Sequence, residues 1–254
     1  TPQENAKITR DILEGKEKGD MKKVLVVGSL NMDMVLSVDH HPVPGETIIG
    51  DGITYHPGGK GANQAYAVGK LGGDVRIIGC VGWDNNGMIL TENLAQAGVD
   101  TTAINRMPEA PTGMAIIDVD KKGDNSIIVI SGANACLTPD LLRKQKASVE
   151  WSDFIMTQLE TPIDTVLELA RKANKCMILD PSPARADLPD ELFPLIDIMK
   201  PNEKELSILT GMPTETDEEI KAAADALLEK GVSKVVVTLG ARGAMLADGN
   251  EKLF

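Results

Sequence analysis

The chain has 254 residues and a formal net charge of −12. An acidic chain without a basic cluster is a poor match for nucleic acids or anionic membranes, so we expect neither as a partner. The length suits one large α/β domain, alone or with a small appendage, and no apolar run reaches the length of a membrane span.

Residues 1–20 are predicted to be separate from the rest of the chain. The first four residues, Thr1-Pro2-Gln3-Glu4, have the pattern of a helix N-cap followed by proline and a capping-box glutamate. A short polar helix would follow, and the first apolar strand begins soon after Met21. We interpret residues 1–20 as an N-terminal extension or fusion remnant, and residues 21–254 as the main domain.

From Val24 onward, short apolar runs alternate with helical patterns. The predicted strands of this series are Val24–Gly28, Val75–Val81, Phe154–Gln158, Met177–Asp180, Ile196–Lys200 and Val235–Thr238. The predicted helices are Gly61–Leu71, Gly87–Ala97, Ile163–Lys172, Glu203–Thr210 and Asp217–Lys230. Repeated strand-helix units predict an α/β fold with a mostly parallel central sheet and helices on both faces.

Two stretches of the chain break this alternation and read as strands without helices. They are Met34–Val38 with Glu46–Tyr55, and Gly113–Val119 with Asn125–Ile130. We predict that these segments, near residues 34–55 and 113–130, form a small separate β-sheet that covers the main domain as a lid.

The chain ends inside a predicted hairpin. Strand Ala244–Ala247 is followed by a turn at Asp248-Gly249-Asn250, and Lys252–Phe254 starts the returning strand. A chain that stops there leaves a strand edge unpaired. We therefore expect that the domain at residues 21–254 lacks its C-terminal part.

The cysteines and histidines give no metal or disulfide signature. Cys80, Cys136 and Cys176 are far apart in the sequence, and each has apolar neighbours. This pattern is typical of buried free thiols in a reducing cytosol.

A glycine-rich segment, Gly58–Ala65, precedes the first predicted helix of the series. Its glycines allow close approach of the backbone to a ligand, and the helix N-terminus offers free N–H groups. Lys60 and Asn63 add side-chain donors for hydroxyl or phosphate oxygens. The segment is not a Walker A loop, because Gly61 rather than Ser or Thr follows Lys60, and no G-x-G-x-x-G occurs. The alternative is a simple glycine turn before a helix.

Three polar side chains follow the ends of two predicted strands. Asn31 and Asp33 come after strand Val24–Gly28 and share one face if the segment is extended. Their amide and carboxylate suit a polyhydroxy ligand, with an Asx-turn as the alternative. Glu160 follows Phe154–Gln158 and would reach the same cleft, although on the residues alone an exposed loop glutamate is the favoured alternative.

Two further loops follow strands near the C-terminal half of the sheet. Asn202 and Glu205 fit either a helix capping box or a cleft site in which Glu205 orients a hydrated metal ion. Thr238, Gly240 and Gly243 fit either a nucleotide-binding loop or a strand-to-strand turn. In open parallel sheets ligands bind outside the carboxyl ends of the strands, where all these loops are expected.

The sequence resembles the ribokinase branch of the PfkB-type sugar kinases. The resemblance rests on motifs that run in family order from about Lys22 to Gly243. They are Gly28-Ser29-Leu30-Asn31-Met32-Asp33, Pro44-Gly45-Glu46-Thr47, Gly58–Ala65, Gly82-Trp83-Asp84 with Gly87, Gln158-Leu159-Glu160, Asp180-Pro181-Ser182-Pro183-Ala184, Pro201-Asn202-Glu203 and Thr238–Gly243. The resemblance implies a three-layer α/β/α fold with a β-sheet lid.

The resemblance also implies a function, ATP-dependent phosphorylation of D-ribose at O5. The implied ribose contacts are Asn31, Asp33, Gly59, Lys60, Asn63 and Glu160. The implied ATP contacts are Asn202, Thr238, Gly240 and Gly243. Magnesium would be held through water near Glu205, and a monovalent cation such as K⁺ would activate the enzyme. A homodimer that assembles through the lid sheet is also implied, while the cytoplasmic location is predicted from the free cysteines.

One family motif is missing from residues 1–254. Family members carry a Gly-Ala-Gly-Asp-like motif whose aspartate is the general base, and this sequence has none. We expect that aspartate beyond Phe254, and without it we expect little phosphoryl transfer. The alternatives are a kinase for another sugar or a nucleoside, and a non-catalytic sugar-binding fragment.

Overall fold

The computed structural model describes residues 22–253 of the protein. The predicted extension at residues 1–20 lies outside the described residues. The strands in chain order are β1 (Lys23–Val27), β2 (Asn31–Ser37), β3 (Gly52–Gly58), β4 (Asp74–Gly82), β5 (Ile104–Met107), β6 (Gly113–Val119), β7 (Asn125–Ile130), β8 (Phe154–Thr157), β9 (Cys176–Leu179), β10 (Ile198–Met199), β11 (Lys234–Thr238), β12 (Ala244–Ala247) and β13 (Lys252–Leu253).

Helices connect most of these strands. The α-helices are α1 (Lys60–Lys70), α2 (Asn85–Gln96), α3 (Pro139–Lys144), α4 (Lys146–Trp151), α5 (Ile163–Lys172), α6 (Glu203–Thr210) and α7 (Asp217–Glu229). Short 3₁₀ helices span Gly132–Cys136, Asp190–Leu195 and Gly240–Arg242. Among the described residues, none of the helices has both the length and the apolar character needed to cross a membrane.

The central sheet is mostly parallel, as predicted. Its order is β13-β12-β11-β10-β9-β8-β1-β4-β5 within the described chain. All neighbours from β11 to β5 are parallel, whereas β12 pairs antiparallel with β11 and with β13. The carboxyl ends of the parallel strands therefore lie along one edge of the sheet.

Helices cover both faces of this sheet, and the alternating side chains of β1 show why. Leu25 and Val27 belong to one buried cluster, with residues of α5, α6 and α7. Val26 belongs to a second cluster, which contains Ala65 of α1 and Leu90 of α2. A strand buried on both faces reads as a continuous apolar run, which is how β1 was recognised in the sequence. The predicted three-layer α/β/α arrangement is present.

The lid sheet is a separate four-stranded sheet in the order β3-β2-β6-β7. Its two central strands, β2 and β6, are parallel, and each pairs antiparallel with an outer strand. The predicted strand Glu46–Tyr55 is wrong in its first half, because β3 begins only at Gly52. The Glu46 side chain accepts a hydrogen bond from the backbone N–H of Val43 (3.0 Å), which fixes a turn instead of an extended strand.

The cysteines are free in the described chain but are not all buried. Cys80 is fully buried in β4, and burial raises the pKa of its thiol to about 12. Cys136 and Cys176 are only half-buried, which corrects the prediction for those two residues. Cys136 ends a 3₁₀ helix and Cys176 starts β9. At the end of an element, apolar neighbours in the sequence do not ensure that other helices or strands bury the side chain.

Candidate active site

The predicted site residues lie along the carboxyl edge of the central sheet. The loops after β1 and β8 form one end of the site, which we call the β1 end. The loops after β10 and β11 form the other end, which we call the β11 end. Strand β9 lies between the two ends, because the sheet order there is β11-β10-β9-β8-β1. The two ends are therefore about two strand spacings apart, roughly 10 Å.

The glycine loop packs tightly against the connection between β1 and β2. Gly59 is the N-cap of α1 and has a φ of 92°, a conformation that favours glycine. A Cβ at Gly59 would lie 2.6 Å from the backbone nitrogen of Asn31, and one at Gly61 would lie 2.7 Å from the carbonyl carbon of Gly28. Glycine at these positions therefore lets α1 begin directly beside the β1 end.

Glu160 completes the N-terminus of α1, which has no side-chain cap of its own. Its Oε2 accepts hydrogen bonds from the backbone N–H of Lys60 (3.1 Å) and from the hydroxyl of Ser29. The Ser29 hydroxyl oxygen in turn accepts from the N–H of Gly61 (3.3 Å). Within the described residues Oε1 of Glu160 accepts no hydrogen bond, so one carboxylate oxygen is available to a ligand. The structural role of Ser29 was not recognised in the sequence.

Asn31 is the first residue of β2 and is held by a residue that the sequence analysis missed. Its side-chain Oδ1 accepts a hydrogen bond from Nδ2 of Asn134 (2.7 Å). Asn134 also bonds both backbone groups of Leu30, accepting from its N–H (2.9 Å) and donating to its carbonyl oxygen (3.2 Å). Both asparagines are almost fully buried. With its oxygen occupied, Asn31 presents its amide nitrogen as the donor for a ligand.

Asp33 lies two residues further along β2, and its carboxylate is half-buried without a hydrogen-bond donor from the described residues. Burial raises the pKa of Asp33, the negative charge of Glu160 raises it further, and His56 opposes these effects. A Cβ at Gly58 would lie 2.1 Å from Oδ2 of Asp33, so glycine there makes room for the carboxylate. Such a carboxylate needs donors, and the hydroxyl groups of a ligand would supply them.

Lys60 and Asn63 start helix α1 but point to different surroundings. Lys60 is half-exposed, and in the described chain its ammonium group has no ion-pair partner. Asn63 is exposed and lines a depression of about 250 Å³ with His56, Pro57, Ala62, Tyr66 and Asn93. Because His56 faces Asp33 across the β2–β3 pair, this depression borders the β1 end.

At the β11 end, the structure gathers the other predicted residues around one groove. Asn202, Thr238, Gly240 and Gly243 line it together with Glu203 and Lys204. Gly240 and Gly243 have positive φ values of 57° and 92°. Arg242 between them bonds Asp217 and Glu203 (both 2.6 Å), which ties the loop to the starts of α7 and α6. The segment is also the strand-to-strand turn of the alternative interpretation, since it joins β11 to β12.

Asn202 and Glu205 form the capping box that the alternative interpretation predicted. Oδ1 of Asn202 accepts from the N–H of Glu205 (2.8 Å), and Oε2 of Glu205 accepts from the N–H of Asn202 (2.9 Å). Within residues 22–253 no three or more His, Cys, Asp or Glu side chains gather closely enough to hold a metal ion. The other carboxylate oxygen of Glu205, Oε1, remains available to the water ligands of a hydrated magnesium ion, which keeps several of them.

Comparison with known proteins agrees with this geometry. Residues 21–254 match the pfkB family of carbohydrate kinases. A ribokinase of Haemophilus influenzae is 42% identical over 231 residues, which are 89% of this chain and 75% of that protein. The crystal structure of ribokinase from Thermotoga maritima has 40% identity and a TM-score of 0.83, covering 91% of this chain and 76% of that chain.

A third comparison comes from a structure of Arabidopsis thaliana ribokinase complexed with ribose and ATP. It has 35% identity and a TM-score of 0.84, and covers 91% of this chain and 77% of that chain. Together with the central sheet and the lid sheet, these similarities confirm the predicted ribokinase-like α/β fold. The chain is a ribokinase-type member of the pfkB family of carbohydrate kinases.

Proposed function

We propose that the protein transfers the γ-phosphoryl group of ATP to O5 of D-ribose and so forms D-ribose 5-phosphate. The observation that carries this proposal is the half-buried carboxylate of Asp33, which has no hydrogen-bond donor among residues 22–253, beside the oriented amide of Asn31. Sugars with several adjacent hydroxyls suit such a pair, because the carboxylate accepts from hydroxyls and the amide nitrogen donates to them. The similarity to ribokinases supports ribose as the sugar.

The other residues of the β1 end would complete the sugar site. Glu160 offers Oε1, while its Oε2 is held by the start of α1. The backbone of Gly59 and the side chains of Lys60 and Asn63 add donors from the glycine loop. These groups bind and orient the sugar. The family resemblance assigns proton removal from O5 to an aspartate of the Gly-Ala-Gly-Asp motif.

The β11 end would hold ATP. Asn202, Thr238, Gly240 and Gly243 line a groove, and the backbone N–H of Gly240, a glycine with positive φ, has no acceptor among the described residues and is open to a phosphate oxygen. Magnesium, when bound with ATP, neutralises phosphate charge, and Glu205 would orient its water ligands. The K⁺ requirement rests on the family resemblance alone.

The test of the sugar assignment is calorimetric titration with D-ribose. Asp33→Asn is nearly isosteric, and losing charged hydrogen bonds should weaken ribose binding by roughly 1.5–3 kcal/mol. Asp124→Asn in the exposed β6–β7 turn is the control and should bind ribose normally. Parallel titrations with 2-deoxy-D-ribose, D-fructose and adenosine separate ribose from other sugars and from nucleosides. If one of these compounds binds more tightly than ribose, it replaces ribose as the proposed substrate. If Asp33→Asn binds ribose as tightly as the unmodified protein, Asp33 is not part of the sugar site.

We also propose a homodimer formed through the lid sheet. All six residues of the edge strand β7 are exposed, and its apolar residues Ile127, Ile128, Val129 and Ile130 are 47–60% accessible. Ile53 and Tyr55 of β3 are similarly exposed. An apolar edge of this kind is typical of an association surface. Sedimentation should show a dimer that Ile128→Lys dissociates, and a monomeric parent protein would contradict the proposal.

A cytoplasmic location completes the proposed function. Its support is that Cys80, Cys136 and Cys176 are all free thiols, as expected in a reducing compartment. Fractionation of cells that express the protein would test it.

A further inference from the structure

Four polar side chains form a continuous chain of contacts between the two ends of the site. Nε2 of Gln158 donates to Oε1 of Gln64 (2.7 Å), and Nε2 of Gln64 donates to Oδ2 of Asp180 (3.0 Å). The same Oδ2 lies 3.3 Å from Nζ of Lys200. We call this chain of four residues the bridge network. None of its members belongs to the sugar or nucleotide contacts assigned above.

The bridge network crosses the gap between the β1 end and the β11 end. Gln158 follows β8, Asp180 follows β9 and Lys200 follows β10, and these three strands are neighbours in the sheet. Gln158 is two residues from Glu160 in the sugar site, and Lys200 is two residues from Asn202 in the nucleotide groove. A phosphoryl group that passes from nucleotide to sugar must cross the carboxyl end of β9. Asp180 and Lys200 lie at that crossing.

One end of the bridge network is buried and the other is partly exposed to solvent. Gln158 is only 1% exposed, and its Oε1 has no hydrogen-bond partner in the described chain. It faces Gly28, where a Cβ would lie 2.0 Å from that oxygen. At the other end, the side chain of Lys200 is 39% exposed, and its 3.3 Å contact with Asp180 is long for a charge-assisted hydrogen bond. The Lys200 ammonium group can therefore leave Asp180 at small cost.

Charge gives a reason for a lysine at this position. The site carries the carboxylates of Asp33, Glu160, Asp180 and Glu205, and the whole chain has a net charge of −12. These negative charges would repel the triphosphate of ATP, most strongly where its terminal phosphates approach the sugar. A mobile ammonium group at the crossing offsets that repulsion.

We propose that Lys200 contacts the terminal phosphates of ATP, and that Asp180 is the positioning residue that holds the lysine when no nucleotide is bound. This inference rests on the proposed function, because it needs ATP in the β11 groove. Gln64 and Gln158 fix the carboxylate of Asp180, so that the lysine starts from one place beside the phosphate path. On binding, the ammonium group exchanges Asp180 for phosphate oxygens, and Asp180 keeps the hydrogen bond from Gln64.

The test is a titration series of AMP, ADP and ATP with magnesium, made on the unmodified chain and on Lys200→Gln. If Lys200 contacts the terminal phosphates, Lys200→Gln should bind AMP with unchanged affinity and ATP with about tenfold lower affinity. The loss of ADP affinity should lie between these two values. Lys200→Arg should restore most of the ATP affinity, because the charge is retained. Lys172→Gln is the matched control, since it removes an ion pair with Glu168 (2.6 Å) on α5 and should bind all three nucleotides normally.

The variant Asp180→Asn separates this role from a structural one. It keeps a side-chain oxygen for Gln64 but releases the lysine, so ATP affinity should be retained or increased. If the ion pair were merely structural, Lys200→Gln and Asp180→Asn would lower the melting temperature alike and would weaken AMP as much as ATP, which overturns the inference. Unchanged ATP affinity in Lys200→Gln also overturns it. Failure of the unmodified chain to bind ATP would instead reject the proposed function, and the inference with it, while ribose titration reports the sugar site separately.

Discussion

Asn134→Ala should destabilise the protein and weaken sugar binding at the same time. The substitution removes three hydrogen bonds of a side chain that is 1% exposed, two to the backbone of Leu30 and one to Asn31. A net value of about 1 kcal/mol for each bond gives a loss of about 3 kcal/mol in the free energy of unfolding. For a domain of this size that loss lowers the melting temperature by about 6–12 °C.

The sugar effect follows from the freed amide of Asn31. Without Asn134, its oxygen no longer has a fixed donor, so the orientation that presents Nδ2 to the ligand is lost. Ribose affinity should fall by roughly tenfold, the value of one well-placed hydrogen bond. Urea denaturation and ribose calorimetry on the same preparations measure both effects. Asn105→Ala is the control, because Asn105 bonds the carbonyl oxygens of Gly79 (3.3 Å) and Ala103 (3.1 Å) away from the site. A destabilised Asn134→Ala with normal ribose affinity would refute the orienting role of Asn134.

Two further predictions concern carboxylates of the site. The folded-state pKa of Asp33 is raised above its ordinary value of 3.8, so Asp33 contributes stability that is fully present below pH 3.8 and is lost as pH rises through the raised pKa. Ribose affinity should rise over that window, because hydroxyl donors favour the ionised carboxylate. Thermal melts and ribose titrations of the parent protein and of Asp33→Asn should therefore differ in their pH dependence over that window, and identical pH dependence in the two proteins would contradict the assignment to Asp33. Glu205→Gln should leave the free energy of unfolding nearly unchanged, since glutamine also serves in a capping box, whereas Glu205→Ala should lose about 1 kcal/mol in urea denaturation. If Glu205 also orients hydrated magnesium, Glu205→Gln should weaken ATP binding only when magnesium is present, and equal weakening without magnesium would exclude that role.

The longer helices and strands could be predicted because each one is indicated by a pattern within its own segment of the sequence. The continuous apolar run of β1 and the periodic patterns of α5 and α6 each identify one element, and the structure places α5 and α6 at the predicted bounds Ile163–Lys172 and Glu203–Thr210. Strand β5 and the two short helices α3 and α4 were missed. Each has only four to six residues, too few for a period to be recognised. Thr138 followed by Pro139 was nevertheless a readable start for α3, since Thr138 is its N-cap.

The sequence could predict the position of a candidate site residue only where that residue closely follows a strand of the central sheet. Asn31, Asp33 and Glu160 follow the ends of β1 and β8 within a few residues, so their place near the sheet edge could be predicted, although Asn31 and Asp33 lie in strand β2 and not in the expected loop. Asn134 could not be found in this way, because it lies more than a hundred residues from Asn31 and in a 3₁₀ helix with no periodic signal. The second function of Glu160, at the N-terminus of α1, depends on a contact between residues 100 positions apart. Such contacts follow from the packing of distant segments, which a sequence pattern does not record.

The two carboxylates that we assign to ribose binding belong to different sheets. Asp33 lies within β2 of the lid sheet, whereas Glu160 follows β8 of the central sheet, and only the three residues from Gly28 to Leu30 join β1 to β2. Any displacement of the lid sheet therefore changes the separation of the groups that hold the sugar. A ligand that contacts both carboxylates binds more tightly to one position of the lid sheet than to another. The difference between these two affinities sets how strongly the ligand favours that position. By the same linkage, whatever restrains the lid from its outer face, a second copy of the chain included, alters sugar affinity without touching the pocket.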